Sequence, residues 1–242
     1  MSTEWPAGYG LIRLEQVDST LDEARRRAGD MAGPTWIFAH RQTAARGRRG
    51  RAWVQPPGNF SASVFLPSPG APARAAQRSF IAALALSDTL EALGVESALK
   101  WPNDVLVQGG KLAGILLEGL PGGALAIGIG VNLAQAPTAD QVEPGAVAPV
   151  ALAAEGVQIT PDDFLPLLAR AFAAREESLA TYGFDPIRSA WLARAARLGQ
   201  PITVRLPHET CSGTFTDVDG TGQLVLSTDD GLRYIAAGDV FF

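Results

Sequence analysis

Residues 40–51 read His-Arg-Gln-Thr-Ala-Ala-Arg-Gly-Arg-Arg-Gly-Arg and contain five arginines and no acidic residue. A run of this kind is ordinarily a solvated or disordered basic arm. Here it lies between two predicted strands and is followed by Trp53 and two prolines, so it must form a long loop held at both ends. Guanidinium groups suit phosphate oxygens, and Gly47 and Gly50 let the backbone approach a ligand closely. The segment therefore favours a polyphosphate or adenylate site that becomes ordered when it is filled.

Two common nucleotide-binding patterns do not fit this sequence. The arginine-rich segment lacks the Gly-Lys-Ser/Thr of a P-loop, and no helix is predicted at its end. Gly128-Ile129-Gly130 is not a dinucleotide fingerprint, because Leu133 stands at the third glycine position and the run continues as a strand. A strand with two positions that lack Cβ can instead bring another backbone or a flat ligand close, which is compatible with a nucleotide pocket.

The only lysines among the twenty cationic side chains are Lys100 and Lys111. In a chain that otherwise uses arginine, lysine indicates a place for a compact, mobile ammonium, although chance is an equal explanation for two residues taken alone. Lys100 opens Lys-Trp-Pro-Asn-Asp, residues 100–104, a costly sequence for an ordinary strand because proline removes a ladder donor and buried polar groups need partners. Lys111 follows a tight turn and should begin a strand beside Asn103 and Asp104.

Composition excludes several classes of protein. The apolar fraction of 47% and charged fraction of 19% are typical of a globular chain, and the net charge of −5 argues against binding nucleic acid. The single cysteine, Cys211, excludes an internal disulfide, and no His and Cys cluster indicates structural zinc.

A lone histidine such as His40 is more often structural than catalytic. Without an export signal or a long apolar span, the expected location is cytoplasmic.

The elements that must position these residues follow from hydrophobic periodicity and turn signals. A capping-box pattern at Thr20 predicts a helix over about 20–28. The further predictions are strands at 35–39 and 60–66, a helix at 73–93, three β-rich runs at 98–107, 111–118 and 124–133, and helices at about 162–181 and 187–197. After Gly199, short alternating strands indicate a small all-β barrel. The predicted fold is α+β, with a mixed or antiparallel sheet and packed helices in residues 1–198 and the barrel in 199–242.

Taken together, these residues resemble the biotin protein ligases over about residues 10–240. The motifs that carry the resemblance lie in the order and spacing of that family: Asp18-Ser19-Thr20, Gln42, Arg46-Gly47-Arg48-Arg49-Gly50-Arg51 with Trp53, Lys100-Trp101-Pro102-Asn103-Asp104, Lys111-Leu112-Ala113-Gly114-Ile115-Leu116 with Glu118, and Gly128-Ile129-Gly130-Val131-Asn132. The sequence departs from the family at Leu21, where Asn is frequent, and at Ala45, where Gly is frequent.

The resemblance implies a class II synthetase-like catalytic domain followed by an SH3-like barrel. It further implies activation of biotin by ATP with Mg²⁺, and transfer of biotin to a lysine of a biotin carboxyl carrier protein or domain of a carboxylase. Some members carry an N-terminal DNA-binding domain of about sixty residues, for which the residues before Ser19 leave no room, so no repressor function is expected. The oligomeric state is left open, a homodimer included.

The resemblance also assigns roles to individual residues. The catalytic residues would be Lys111, Arg48 and Asp104, with Asp104 holding magnesium or receiving the proton of the acceptor lysine. The biotin-binding residues would be Ser19, Thr20, Gln42, Arg46, Gly47, Arg48, Lys111 and Gly114. The nucleotide-binding residues would be Arg49, Arg51, Trp53, Asn103 and Asn132.

Two alternatives remain open from the sequence. One is a lipoate or octanoate protein ligase or transferase of the same superfamily. A thioester-forming transferase would need a cysteine in the catalytic domain, whereas Cys211 lies in the predicted barrel, and a lipoate ligase would lack the Lys-Trp-Pro-Asn-Asp run. The other is a biotin-binding module without catalysis.

Overall fold

A computed structural model describes residues 4–143 and 145–242. The strands are β1 (Gly10–Val17), β2 (Thr35–Gln42), β3 (Phe60–Leu66), β4 (Ala98–Lys100), β5 (Asp104–Val107), β6 (Gly110–Gly119), β7 (Leu125–Val131), β8 (Pro201–Arg205), β9 (Thr210–Val218), β10 (Leu224–Thr228), β11 (Gly231–Ile235) and β12 (Asp239–Phe241). The helices are α1 (Thr20–Arg26), α2 (Pro72–Ala76), α3 (Arg78–Ala92), α4 (Pro161–Tyr182) and α5 (Phe184–Leu192).

The first seven strands form one sheet in the order β1-β2-β3-β7-β6-β5-β4. β1 and β2 are parallel and joined through α1, and the other neighbouring pairs are antiparallel. The last five strands form a second, antiparallel sheet in the order β11-β10-β9-β8-β12, called here the C-terminal sheet. The predicted α+β fold with a mixed sheet is confirmed. Whether a domain boundary falls between residues 198 and 199 stays a prediction.

The two faces of the large sheet differ in side-chain size. Alternate residues of a strand point to opposite faces, so the cross-strand register assigns each residue to a face. One face carries large apolar side chains such as Phe60, Val64 and Ile127, which join α3, α4 and α5 in the main hydrophobic core. The opposite face is partly covered by α1, whose Leu21 and Ala24 pack in a smaller cluster. The rest of that face is open to the site described below.

Several element boundaries differ from the predictions. The run 98–107 is two strands, because Trp101–Asn103 form the turn between β4 and β5, with a cis bond before Pro102. The costly residues therefore stand in a hairpin turn instead of a strand interior. The helix predicted over 73–93 breaks at Gln77 into α2 and α3, and the one predicted at 187–197 is α5, which begins earlier, at Phe184.

The predicted capping box at Thr20 is wrong. The N-cap residue of α1 is Ser19, and its side chain makes no capping hydrogen bond. The hydroxyl of Thr20 instead donates to Oε1 of Gln42 at 3.1 Å and accepts from the hydroxyl of Ser63 at 2.8 Å. Tertiary contacts have thus recruited this side chain to the open face of the sheet.

The C-terminal sheet contains a strand that the sequence did not predict. β12 has three residues, too few for an alternating pattern, and it pairs with β8 in the register Asp239↔Arg205. This pairing brings Asp239 next to the arginine-rich loop of the large sheet. Among the described residues, no helix is long and apolar enough to cross a membrane.

Candidate active site

A cavity of about 640 Å³ lies over the open face of the large sheet. Its lining includes every predicted site residue except Arg49: Ser19, Thr20, Gln42, Arg46, Gly47, Arg48, Arg51, Trp53, Asn103, Asp104, Lys111, Gly114 and Asn132. Residues 46–51, called here the arginine loop, form one wall, and β12 contributes Asp239 and Val240 to the lining. The structure thus gathers segments from Ser19 near one end of the chain to Asp239 near the other.

The floor of the cavity is made of residues with little or no side chain. Gly130 of β7 pairs with Ser61 of β3 on one side and with Gly114 of β6 on the other, so these three residues share a face. Gly128 lies two residues away on the same face of β7 and pairs with Ser63. A row of small residues across three central strands leaves the volume that a ligand can occupy.

Lys111 reaches this face because of a β-bulge. In a regular strand, residues three apart point to opposite faces, which would place Lys111 and Gly114 on different sides of the sheet. The register, however, shifts between Val105 and Leu106: Val105 pairs with Ala113, whereas Leu106 pairs with Lys111. The extra residue in β6 turns Lys111 onto the face of Gly114, as bulges near active sites commonly re-aim a side chain.

Asp104 lies between the two lysines of the chain. Its Oδ1 is 2.7 Å from Nζ of Lys111, and its Oδ2 is 3.6 Å from Nζ of Lys100. Burial lowers the pKa of Lys100, although the carboxylate of Asp104 acts in the opposite direction. The Lys111 side chain remains 29% exposed and borders the cavity. One carboxylate thus positions an ammonium beside the glycine floor.

The indole of Trp53 lies on the glycines of the floor. A Cβ built on Gly130 would be 2.5 Å from Cε2 of Trp53, and one on Gly114 would be 3.1 Å from its Cζ3. Nζ of Lys111 is 5.8 Å from the centroid of the Trp53 ring. Only glycine at position 130 therefore admits this placement. Of the two glycines predicted to allow close approach, Gly130 is covered by the indole, whereas Gly128 is approached by the side chain of Leu21.

A hydrogen-bonded group forms the end of the cavity near α1. Oε1 of Gln42 accepts from the backbone N–H of Thr20 at 2.7 Å and from its hydroxyl, so the two predicted biotin-binding residues hold each other. Ser19 is also buried and lines the same end. Leu21, where the family often has Asn, is buried and would be 2.9 Å from a Cβ on Gly128. This departure replaces an amide with an apolar wall.

Ser61 is a candidate that the sequence reasoning missed. Its hydroxyl is buried, lines the cavity, and has no hydrogen-bond partner among the described residues. A buried hydroxyl without a partner costs stability, so such a group at a cavity wall is suited to a polar ligand atom. The signal in the sequence was the alternation of small residues in Phe60-Ser61-Ala62-Ser63, which predicts a strand but does not by itself indicate a ligand contact.

The arginine loop is held by carboxylates at both ends. Arg46 donates to Asp22 of α1 and to Glu118 of β6, so it is engaged within the protein. At the other end, Arg51 lies 2.8 Å from Glu143 and 3.1 Å from Asp239. The sequence reasoning missed these acidic partners, because Asp239 and Glu143 lie far from the loop in sequence and carry no local motif.

Arg48 is the most enclosed cation of the loop. Its Nη1 donates to the carbonyl of Gly238 at 3.0 Å and to Oδ1 of Asn103 at 3.3 Å. Burial lowers the pKa of Arg48, while the charges of Asp239 and Asp104 act in the opposite direction. Arg49 does not line the cavity; its backbone has φ 56°, and its guanidinium lies 3.0 Å from Asp239, which does line it. Its contact with the nucleotide stays a prediction.

The two asparagines are fixed by the strands around them. Nδ2 of Asn103 donates to the carbonyl of Ile115 at 2.6 Å. Asn132 is buried, and its Oδ1 accepts from Nδ2 of Asn59 at 3.4 Å. Each therefore presents its amide to the cavity at a set orientation.

Other residues with possible chemistry lie away from this cavity. His40 pairs with Asp162 at 2.8 Å, in agreement with a structural role. Cys211 is buried in β9 of the C-terminal sheet. Within residues 4–143 and 145–242, no group of three His, Cys, Asp or Glu side chains is arranged to hold a metal ion.

Comparison with known proteins identifies the family. Residues 12–133 match the biotin/lipoate A/B protein ligase family, and residues 198–242 match the biotin protein ligase C-terminal domain. A biotin–[acetyl-CoA-carboxylase] ligase of Paracoccus denitrificans is 51% identical over 237 residues, which cover 95% of this chain and 99% of that protein. The bifunctional ligase/repressor of Escherichia coli is 30% identical over 241 residues, which cover 96% of this chain and 74% of the relative.

Solved structures give the same result. The biotin protein ligase from Aquifex aeolicus in complex with biotin and ATP superposes with a TM-score of 0.84 at 25% identity, over 96% of this chain and 97% of that one. The chain belongs to the biotin/lipoate A/B protein ligase family. Two of its curated relatives, from Paracoccus denitrificans and Mycobacterium tuberculosis, are biotin–[acetyl-CoA-carboxylase] ligases, so the predicted resemblance is confirmed, and these comparisons do not favour a lipoate or octanoate enzyme.

Proposed function

We propose that this chain is a biotin protein ligase that joins biotin to a lysine of the carrier protein or domain of acetyl-CoA carboxylase in two steps. In the first step, the biotin carboxylate attacks the α-phosphorus of ATP, and the bond to the β-phosphate breaks to release pyrophosphate. In the second step, the amine of the acceptor lysine attacks the acyl carbon, loses a proton and displaces AMP. The observation that carries this proposal is a glycine-floored cavity with Lys111 at its floor and an arginine loop at its wall.

The first step requires two anions to approach each other. A carboxylate beside a phosphate is repelled and is a weak nucleophile, so placed cations that stabilise charge in the transition state supply most of the catalysis. Lys111 is the candidate to bridge the carboxylate and the α-phosphate, because Asp104 fixes its ammonium at the floor. Arg48 is the candidate to cover the same phosphate from the loop.

The end of the cavity near Thr20 suits the polar urea of biotin. Biotin has an apolar bicycle, a urea and a flexible acid tail, and it needs an apolar slot with a few fixed hydrogen-bonding groups. Ser19, Thr20 and Gln42 supply the polar groups, while Leu21 supplies the apolar wall. The hydroxyl of Ser61, which has no hydrogen-bond partner within residues 4–143 and 145–242, is a further donor for the bound ligand.

Trp53 and the nearby polar groups form the proposed nucleotide side of the cavity. An indole held flat against Gly130 offers a stacking surface for adenine, and Arg51, Asn103 and Asn132 supply polar contacts. In the second step the mixed anhydride is already activated, so positioning of the incoming amine dominates the rate. Asp104 is the proposed acceptor of the proton that this amine loses.

Mg²⁺ remains part of the prediction, but the described residues do not form a site for it. Mg²⁺ is usually held by one or two carboxylates together with substrate phosphates. Asp104 is the only predicted ligand, and both of its oxygens face ammonium groups. The cytoplasmic location and the lack of nucleic-acid binding likewise stay predictions from the sequence, and the oligomeric state stays open, a homodimer included.

The direct test is exchange of label between pyrophosphate and ATP. We expect exchange that depends on biotin, followed by transfer of biotin to the acetyl-CoA carboxylase carrier domain. Exchange that depends on lipoate and not on biotin would identify the lipoate alternative. Binding of biotin without exchange would identify a non-catalytic binding module.

A further inference from the structure

Asp239 of the C-terminal sheet is surrounded by arginines. Its carboxylate lies 3.4 Å from Arg48, 3.0 Å from Arg49 and 3.1 Å from Arg51, all in the arginine loop. A fourth guanidinium, that of Arg205, lies at 3.3 Å on the neighbouring strand β8. The Asp239 side chain is only 12% exposed, so water screens these contacts less than it would on an open surface.

The backbone that carries Asp239 is closely packed. β12 pairs with β8, and Val240 next to Asp239 is buried. A Cβ on Gly238 would be 2.6 Å from Cγ1 of Val204, which shows how near this turn lies to the strand beneath it. The carbonyl of Gly238 also accepts a hydrogen bond from Arg48. The carboxylate is therefore presented to the loop from a rigid element.

Charge explains why this contact matters for the loop. Arg48, Arg49 and Arg51 repel one another, and the loop has no apolar face to hold it. Burial disfavours the charged form of Asp239, but hydrogen bonding from Arg205 and the charge of Arg48 outweigh this and lower its pKa. The carboxylate thus stays ionised near neutral pH and offsets the repulsion within the loop.

We propose that Asp239 is a positioning residue, which holds the arginine loop against the cavity so that the enzyme retains its acyl-adenylate. This inference rests on the proposed function. Asp239 acts through Arg48, Arg49 and Arg51 and takes no part in bond making. The C-terminal sheet thereby contributes to catalysis by ordering a loop of the large sheet.

The test compares two isosteric substitutions in the C-terminal sheet. Asp239→Asn removes the charge that faces the loop. Asp217→Asn removes the charge that pairs with Arg188 of α5, a contact between the C-terminal sheet and the rest of the chain that lies away from the loop. Labelled biotin and ATP are incubated with each full-length protein, the complex is isolated, and release of biotinyl adenylate is followed after an unlabelled chase.

We expect Asp239→Asn to release the adenylate about tenfold faster, because the loss of one charge-assisted hydrogen bond changes an equilibrium by about that factor. Asp217→Asn should release it at the rate of the unaltered protein, and Asp239→Glu, which keeps the charge, should restore most of the retention. Equal release by Asp239→Asn and Asp217→Asn would overturn the proposal.

Hydrogen exchange separates this inference from the proposed function. In the ligand-free protein, amides of residues 46–51 should exchange faster in Asp239→Asn than in Asp217→Asn, whether or not the chain makes an adenylate. If Asp239→Asn does not fold, Arg49→Ala removes one partner of Asp239 from the loop side and should accelerate the same amides. Unchanged exchange in the folded variants would contradict the inference, whereas a lack of adenylate in the unaltered protein would contradict only the function.

Discussion

The ammonium of Lys111 lies 2.7 Å from Oδ1 of Asp104, and it is the β-bulge in β6 that brings the two side chains to the same face of the sheet. This geometry supports a specific requirement for lysine. Arginine would satisfy a surface charge equally well, but its longer planar group cannot occupy the same point between a carboxylate and a phosphate.

We expect Lys111→Arg to lose most of the biotin-dependent pyrophosphate exchange, because a misplacement of ~1 Å can cost about a hundredfold in rate. The melting temperature should change little. Arg170→Lys at an exposed position of α4 is the control for replacing one cationic residue with the other. This variant should retain full activity. Near-normal exchange in Lys111→Arg would remove Lys111 from the catalytic residues, and a large fall in melting temperature would make its role structural.

Arg48→Gly should produce a folded enzyme that releases its adenylate prematurely. The Arg48 side chain is only 25% exposed and contacts Asn103 and Gly238, so we also expect a small loss of stability. Leakage is measured as biotin on lysines of bystander proteins. Arg49→Gly, at a more exposed position outside the cavity lining, removes one of the partners of Asp239 and should leak less than Arg48→Gly. Labelling confined to the carrier at an unchanged rate would exclude Arg48 as a clamp.

Gly130→Ala tests whether the indole of Trp53 must lie against the floor of the cavity. The added Cβ would lie 2.5 Å from Cε2 of the indole, so the ring must leave the floor, and we expect exchange to fall at least about tenfold. Gly119→Ala in β6 is the matched control, because a Cβ there meets no atom of the described part of the chain within 4 Å. Tryptophan fluorescence of the ligand-free protein should shift in the first variant only. Equal activity of the two variants would argue against the proposed role of the indole.

Ser61→Ala separates ligand binding from stability. Removing a buried hydroxyl that lacks a partner should leave the free protein as stable or more stable, by up to about 1–3 kcal/mol, while it weakens binding of biotin. Ser63→Ala should destabilise the protein instead, because the hydroxyl of Ser63 donates to Thr20 at 2.8 Å. Thermal melting with and without biotin measures both effects. A destabilised Ser61→Ala with unchanged biotin affinity would refute the assignment.

The arginine loop should gain hydrogen-exchange protection at about residues 44–52 when biotin and ATP are both present. Its outer guanidiniums, those of Arg49 and Arg51, remain 41% exposed in spite of their contacts with Asp239, so order remains to be gained when an anionic adenylate binds. Exchange is measured by mass spectrometry on the free and the ligand-bound protein. Identical protection in the two states would contradict this expectation.

The sequence predicted the fold class and most of the site because those signals are local. The residue pattern at 60–66 predicted strand β3 with its correct first and last residues. The glycines at 128 and 130 indicated a surface that another group can approach closely. The missed features depend on contacts between distant segments. The bulge that turns Lys111 has no residue signature, and the partnership of Asp239 with the arginine loop depends on a three-residue strand at the far end of the chain.

The bulge in β6 also makes the local register between Gly110 and Gly114 a determinant of activity. If residues 111–114 ran as a regular strand without the bulge, Lys111 would point to the face opposite Gly114, toward the layer packed by α3, where an ammonium would be buried among apolar side chains without Asp104. Deleting Leu112, the extra residue, would instead leave Lys111 two positions from Gly114 and on the same face of a regular strand. Four residues with a bulge and three without one are therefore equivalent in phase, and the phase of the strand, not only the identity of its side chains, decides whether Lys111 reaches the cavity.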